Sequence, residues 1–331
     1  VKAGVIGGGS WGSAVALHLG RRNIPTHLWI REKHIYEDAI RNRENKTFLP
    51  GYQFPSPVSF FSETGDCILD TEIVFIAVPS KFCREIYIKL QPHLTSQHII
   101  VSLTKGIEDG TLKRMSEVMA ELFSPHFEPR IAVLSGPSFA KEVAAAHPTA
   151  VVVASEDSGV AQEVQHLVSG SYLRAYTSED VLGVEIAGAL KNVVALAAGI
   201  SDGLQFGDNS RAALITRGLA EITRLGSKLG AKKETFAGLA GVGDLVLTCT
   251  GQLSRNHFVG HEIGRGKPLE GIMSQMKMIA EGITTTLSGH QLARREDIEM
   301  PIHEQAYFVL YKNKDPRTAL QDLMARKLKD E

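Results

Sequence analysis

Residues 1–21, VKAGVIGGGSWGSAVALHLGR, decide the fold. A short β-rich run over residues 2–6 breaks at Gly7-Gly8-Gly9-Ser10-Trp11-Gly12, and a helical stretch over residues 11–21 follows. The spacing Gly7-x-Gly9-x-x-Gly12 gives each glycine its own use. Gly7 makes a tight turn, Gly9 lets the backbone approach a pyrophosphate, and Gly12 allows close packing of helix on strand. The helix N-terminus adds N–H groups and the positive end of a dipole, which suit phosphate. A glycine turn also occurs for purely structural reasons. Its place here, between a strand and a helix at the head of the chain, is the context that reads as dinucleotide binding.

Working outward, the next β-rich run covers residues 26–30 and ends at Arg31 and Glu32, nineteen and twenty residues beyond Gly12. An acidic residue at this distance hydrogen-bonds an adenine ribose, whereas an arginine meets a 2′-phosphate. Both types stand side by side. Arg31 comes first and suits both stacking on adenine and pairing with phosphate, so the reading leans to NADP(H) over NAD(H). Further apolar runs fall at residues 71–78, 98–103, 130–135, 149–154 and 172–176. Near-continuous apolar strands alternating with helical segments indicate a mostly parallel, doubly wound sheet of the Rossmann type, covered on both faces. Ligands bind such sheets outside the carboxyl ends of the strands. Pro79-Ser80, Lys105 and residues 136–140 (GPSFA) all follow strand ends. A strand-end lysine is commonly just solvated; the coincidence of several such loops favours a site.

Strand signals stop after residue 178. Helical patterns follow at residues 181–200, 210–229, 245–250, 254–264, 274–280, 284–294 and 303–311. The expected organisation is α/β: a dinucleotide-binding domain over residues 1–180 and an all-helical, substrate-binding domain over residues 181–331. The length of 331 residues suits two domains. A net charge of −1 offers no global field for nucleic acid or an anionic membrane. Cys67, Cys83 and Cys249 form no CxxC pair, and the histidines show no metal-ligand spacing, so no metal is expected. The cysteine usage fits a reduced cytoplasmic protein. No signal peptide and no charge-free span of membrane length are read.

Within residues 181–201, VLGVEIAGALKNVVALAAGIS, Lys191 is the only charged residue between Glu185 and Asp202. On a helix it shares a face with Ala187, Gly188, Val194 and Ala195. One reading is a lysine whose stem lies on apolar surface while its head reaches water. The other is a desolvated ammonium that loses its proton more readily and serves as a general acid/base. A second informative run, GLAGVGDLVLTCTGQLSRN (residues 238–256), holds Asp244 behind glycines, with Thr248 one turn on and on the same face. An aspartate there is often a helix cap. Ser254-Arg255-Asn256 opens another helix and offers a hydroxyl, a guanidinium, an amide and backbone N–H groups, a grip for a small phosphate monoester. The plainer reading is an N-cap serine followed by a surface arginine.

The motifs GGGSWG, AVPS, LTKGIE, SGPSFA, GALKNVVALAAGISDGLQFGDNSRAALITRG, GLAGVGDLVLTCTGQLSRN and AEGITTT run in order over nearly the whole chain. In them the sequence resembles the bacterial form of the NAD(P)-dependent glycerol-3-phosphate dehydrogenase family. The resemblance implies Lys191 as acid/base, with Asp244 and Lys105 assisting. It implies a substrate site of Lys105, Gly136, Ser138, Lys191, Asp244, Ser254, Arg255 and Asn256. It also implies that Ser10, Trp11, Arg31, Lys105, Ala140, Arg255, Ile279 and Glu281 join the glycine loop around the coenzyme. Dihydroxyacetone phosphate and sn-glycerol 3-phosphate would be the substrate pair, feeding glycerophospholipid synthesis, in a cytoplasmic homodimer. Two other readings compete: another two-domain hydroxyacid dehydrogenase, which would need a carboxylate or acyl-CoA grip, and a non-catalytic dinucleotide sensor, against which the Lys191–Asp244 pair argues.

Overall fold

The computed structural model describes residues 1–276 and 279–328. The chain divides into two compact units, one of residues Val1–Lys105 and Arg114–Val184, the other of Gly106–Lys113 and Glu185–Glu331.

The first unit is one sheet of eight strands: β1 (Ala3–Ile6), β2 (Thr26–Trp29), β3 (Val58–Phe61), β4 (Ile73–Ile76), β5 (Ile99–Ser102), β6 (Arg130–Ser135), β7 (Thr149–Ala154) and β8 (Leu173–Ser178). Their order is β3-β2-β1-β4-β5-β6-β7-β8. Every pairing is parallel except β6 with β7. Helices α1 (Ser10–Arg21), α2 (Lys33–Asn42), α3 (Thr64–Ile68), α4 (Ser80–Leu90), α5 (Met115–Phe123), α6 (Ala140–Ala144) and α7 (Ser158–Val168) connect them. The apolar runs are continuous because alternate residues feed different cores. Ala3 and Val5, Ile73 and Phe75, and Ile99 and Val101 belong to one cluster. Ile6, Val74, Ile76 and Ile100 belong to another. Strand β3 has no counterpart in the sequence reading. It is a four-residue edge strand, VSFF, only partly buried and preceded by Pro55 and Pro57, so neither alternation nor a buried run marks it.

The second unit is helical. It holds most of α8 (Val181–Gly203), then α9 (Gly207–Leu229), α10 (Lys233–Phe236), α11 (Asp244–Thr250), α12 (Arg255–Gly264), α13 (Leu269–Gln275), α14 (Glu281–Arg295), α15 (Pro301–Lys312) and α16 (Pro316–Met324). The helix expected over residues 274–280 is misplaced. The helix there is α13, started by Pro268, whose fixed φ suits a helix entry, and Met276 is already extended; residues 277 and 278 lie outside the described residues.

Helix α8 is apolar around its whole circumference because helices approach it on several sides. Among the described residues it is the one single helix long and apolar enough to cross a membrane, and 89% of that apolar window is buried inside the protein. The approach is through glycine. A Cβ on Gly218 of α9 would lie 2.6 Å from the Val194 side chain, and one on Gly289 of α14 would lie 2.8 Å from Leu190. Helix α12 comes closest. Added methyls on Gly199 and Gly203 of α8 would strike the carbonyls of His257 and His261, and those on Gly260 and Gly264 of α12 would strike the carbonyls of Leu196 and Ile200. The two helices meet backbone to backbone, since interaxial distance is set by the side chains at the contact.

This contact sets a stability prediction. Gly260→Ala forces α12 off α8 and should lower the unfolding free energy by about 1–3 kcal/mol, the usual cost of overpacking. Gly51→Ala is unsuitable as a control because of its positive φ, whereas the open position Gly9 has an ordinary φ. Denaturant titration of Gly260→Ala beside Gly9→Ala checks it, and equal midpoints would refute the seam.

Candidate active site

Strands β1, β2, β4, β5 and β6 point the same way, so the loops leaving them share one edge of the sheet. That edge carries the glycine loop, Arg31, Ser80, Lys105 and Gly136–Ser138. In the glycine loop the three positions differ as their spacing implies. Gly7 has φ +127°, and a Cβ there would lie 2.6 Å from the Ala77 carbonyl. A Cβ on Gly12 would collide with the Gly7 carbonyl, while one on Gly9 would meet nothing within 4 Å. No side chain caps the N-terminus of α1. Open space over Gly9 beside an uncapped helix start is the cradle a pyrophosphate needs, and so the residues present fit a dinucleotide.

The loop is held from beneath by a residue the sequence reading missed. Asn45, fully buried, donates through Nδ2 to the Gly8 carbonyl at 2.7 Å and to Ser13 Oγ at 2.9 Å. Its Oδ1 accepts from the Phe48 N–H at 3.1 Å, and Ser10 Oγ donates to the Phe48 carbonyl at 2.6 Å. Trp11 packs its ring against the sheet core. In RENKTF, Asn45 looks like any polar loop residue; nothing local marks it.

Arg31 is exposed and stacks over the Phe82 ring at 5.5 Å. Its Nε and Nη2 donate to Glu32 Oε1 at 3.0 and 2.5 Å, so the two coenzyme-reading candidates are bonded to one another. After β5, Lys105 Nζ donates to the Gly136 carbonyl at 2.9 Å, and Ser138 Oγ donates to the same oxygen at 3.0 Å. Gly136 has φ +119°, with a Cβ position 3.1 Å from Val151 Cα. Ala140 is the first residue of α6.

In the helical unit, Lys191 is 5% exposed and Asp244 is 2% exposed. The picture of a lysine reaching water does not describe it. Lys191 Nζ stands 2.9 Å from Asp244 Oδ1 and donates to Thr248 Oγ1 at 2.6 Å. Thr248 Oγ1 lies 2.6 Å from the Asp244 carbonyl and 3.2 Å from its Oδ1. Asp244 is therefore no cap. Gly243 occupies the N-cap position of α11, after one π-helical turn over Leu239–Gly243 in which Gly241 leaves helical geometry (φ −91°, ψ −105°). Such turns recur at functional sites. Thr248, seen in sequence only as a residue on the same face, is the hinge of the cluster. Neighbouring Cys249 is silent: burial pushes its thiol up to about 12, with Lys191 pulling down and Asp244 pushing up.

At the start of α12, Ser254 is the N-cap and its Oγ accepts from the His257 N–H at 3.2 Å. Buried Asn256 donates through Nδ2 to Asn192 Oδ1 at 2.8 Å, and its own Oδ1 accepts from the Gly282 N–H at 2.9 Å. Asn192, next to Lys191, also escaped the sequence reading; an asparagine in a helix interior was its only signal. Arg255 Nη1 donates to the Ile279 carbonyl at 2.9 Å. Although exposed in area, the Arg255 guanidinium is desolvated enough to fall below its ordinary pKa, with Glu281, the first residue of α14, opposing that shift. Among the described residues no group of three or more His, Cys, Asp or Glu is placed to hold a metal ion.

A Rossmann-type sheet with a fitted pyrophosphate cradle, joined in one chain to a helical unit with a buried Lys–Asp–Thr cluster, defines a two-part nicotinamide-dinucleotide dehydrogenase. Residues 2–161 match the NAD-dependent glycerol-3-phosphate dehydrogenase N-terminus, and residues 180–321 match the C-terminus of the same family. A glycerol-3-phosphate dehydrogenase [NAD(P)+] of Syntrophotalea carbinolica is 51% identical over 331 residues, covering 100% of this chain and 99% of that one. One from Citrifermentans bemidjiense is 49% identical over 330 residues, covering 100% and 98%. The crystal structure of glycerol-3-phosphate dehydrogenase from Coxiella burnetii superposes with a TM-score of 0.95 at 38% identity, covering 98% of this chain and 99% of that one. The chain belongs to the NAD-dependent glycerol-3-phosphate dehydrogenase family.

The open space over Gly9 is testable by filling it. Gly9→Ala should leave the melting temperature unchanged and weaken coenzyme binding by roughly ten- to a hundredfold, from about 1–3 kcal/mol of overpacking against the bound group. Fluorescence titration with NADH and NADPH measures this; unaltered affinity would mean that phosphate does not approach there.

Proposed function

We propose that the chain catalyses the reversible reduction of dihydroxyacetone phosphate to sn-glycerol 3-phosphate with NADP(H) or NAD(H). The observation that carries the reading is the buried Lys191–Asp244–Thr248 cluster, in a chain of this family. The coenzyme would be held by the loop Gly7, Gly9, Ser10, Trp11 and Gly12, with Arg31 and Ala140, and by Lys105, Arg255, Ile279 and Glu281 as family resemblance implies. When bound, it supplies or accepts the hydride.

The remaining chemistry falls to side chains. Arg255, Asn256 and the N–H groups at the start of α12 grip the substrate phosphate, by charge-assisted hydrogen bonds and the positive helix end. Fixing the substrate at that end lowers the entropic barrier for its carbonyl carbon. Lys191, as ammonium, stabilises the negative charge that develops on the carbonyl oxygen and then protonates it. Asp244 and Thr248 fix the direction of the ammonium. In the oxidative direction, neutral Lys191 takes the proton of the C2 hydroxyl. Lys105, tied to the Gly136 carbonyl, adds positive charge, and Gly136, Ser138 and Ser254 complete the substrate surroundings. With this activity go glycerophospholipid supply, a cytoplasmic place and a homodimer, on family resemblance.

Two measurements test the reading. Lys191→Met keeps the stem and removes the ammonium, so kcat should fall at least about a hundredfold, given the 10²–10⁴-fold range of general acid/base catalysis. Coenzyme affinity by fluorescence titration should be little altered. Turnover within a few-fold of wild type would remove Lys191 and leave Lys105 as the acid/base candidate.

The coenzyme preference rests on Arg31, whose Nε and Nη2 Glu32 already holds. Arg31→Ala should raise KM for NADPH by roughly tenfold or more relative to NADH, the scale of one charge-assisted hydrogen bond. Glu32→Gln frees the guanidinium and removes a like charge, so it should move the ratio the other way. Parallel changes for both coenzymes in both variants would show that neither residue reads the 2′-phosphate.

A further inference from the structure

Helix α12 begins with Arg255 and Asn256, and the Asn256 side chain ties that turn to Asn192 of α8. The next residue adds a second tie. His257 Nε2 stands 2.8 Å from Asp202 Oδ2, and since the carboxylate accepts, the ring nitrogen donates. Arg211 of α9 holds the same oxygen through Nη1 at 2.9 Å, and Arg211 also pairs with Asp208. The three side chains are partly shielded, with His257 20% and Asp202 15% exposed.

Asp202 lies eleven residues beyond Lys191 on α8. At 3.6 residues per turn that is about three turns, so the two project from nearly the same face of the helix. Neighbouring side chains of α12 therefore reach different heights of α8. Asn256 bonds Asn192, beside Lys191, and His257 bonds Asp202, roughly 15 Å further along at 1.5 Å per residue. Between these two ties the helices touch backbone to backbone, with Gly199 lying under the His257 carbonyl. The seam stops α12 from moving closer to α8, and the two side-chain ties stop its first turn from rotating or fraying.

We propose that His257 and Asp202 are a positioning pair, which fixes the first turn of α12 so that Arg255 and Asn256 are pre-aimed for the substrate phosphate. This rests on the reading of Arg255 as the phosphate grip. His257 itself touches no substrate in this scheme. Its contribution is to remove the ordering cost that a loose helix start would impose on binding. Such a loss falls on KM, because the phosphate is bound alike in ground state and transition state.

The test compares His257→Leu, His257→Gln and Arg255→Ala in steady-state reduction of dihydroxyacetone phosphate with NADPH. Coenzyme affinity is followed by fluorescence and folding by thermal melt. His257→Leu should raise KM for dihydroxyacetone phosphate about tenfold, the value of one charge-assisted hydrogen bond, with kcat within about threefold and a smaller loss of coenzyme affinity, because Arg255 is one of many groups placed around the coenzyme. His257→Gln can place an amide N–H towards Asp202 and should recover most of the loss. If His257→Leu does not fold, His257→Asn, polar but too short for Asp202, is read in its place. Arg255→Ala separates the two layers of the argument. A large KM rise in Arg255→Ala with an unchanged KM in the His257 variant overturns the positioning pair and leaves the phosphate grip standing. No KM rise in Arg255→Ala overturns the grip and the pair together. A His257→Leu loss that Gln does not recover, or that falls on melting temperature alone, assigns the pair to stability and overturns the proposal.

Discussion

The ion pair between Lys191 and Asp244 is the constraint on which the helical unit depends. Both groups are almost wholly removed from water, and taking two charges out of water costs several kcal/mol per ion, roughly offset by their attraction. Such a pair is a weak source of stability but an expensive one to break, since the remaining charge is left buried and unpaired. The fold must therefore deliver both partners to the same place. Helix α8 brings the lysine in from an otherwise apolar surface, and the π-helical turn over Leu239–Gly243 sets the start of α11 so that Asp244 faces it. Thr248, one turn further, accepts a hydrogen bond from the same ammonium. The surrounding glycines follow from the same requirement: α9, α12 and α14 can close around α8 and exclude water only where they carry no side chain at the contact.

Much of this was legible in the sequence because it depends on local rules. The β1–glycine–α1 unit was readable since three glycines at fixed spacing have separate backbone uses. The sheet was readable because strands buried on both faces give continuous apolar runs. Lys191 stood out as the one charge in a long apolar helix. What sequence did not show was tertiary. Asn45 does its work by reaching the Gly8 carbonyl across more than thirty residues of chain, and a polar residue in a polar loop carries no mark of its partner. Asn192 carries no mark of its bond to Asn256, and the spacing that puts Thr248 on the face of Asp244 does not show its bond to Lys191. Strand β3 needs only β2 as a neighbour, so four half-buried residues suffice for it. Helix α13 starts earlier than residues 274–280 because Pro268, with its fixed φ, sets the helix entry.

Asp244 and Ser254 show how the two plain readings of a helix-start residue part company. Both were open to the description of a cap. Ser254 is one: its hydroxyl accepts the His257 N–H. Asp244 is not, because Gly243 takes the cap position and the carboxylate is already committed to Lys191. The difference is burial of charge. A serine hydroxyl satisfied by one backbone N–H is at rest, whereas a carboxylate taken out of water needs an opposite charge, which Lys191 supplies. A capping serine still leaves the helix start available to an anion, since its side chain uses one N–H of the several that point outward.

The candidate sites of the two units are built by different means. In the sheet unit the cradle is made of backbone: an uncapped helix start, a glycine with open space above it, and a buried asparagine that holds the loop from below. Side chains there matter mainly through the shape they give the main chain, and a single methyl group at Gly9 changes that shape. In the helical unit the cluster is made of side chains, and the backbone matters through the distances it fixes between them. A pyrophosphate offers many equivalent oxygens, which a row of N–H groups can meet without fine adjustment. In the reaction proposed above, a carbonyl to be protonated is a single atom approached from one direction, which suits one ammonium aimed by Asp244 and Thr248. On that proposal, the division between a glycine-rich loop and a polar cluster within glycine-seamed helices follows from the difference between the two things to be held.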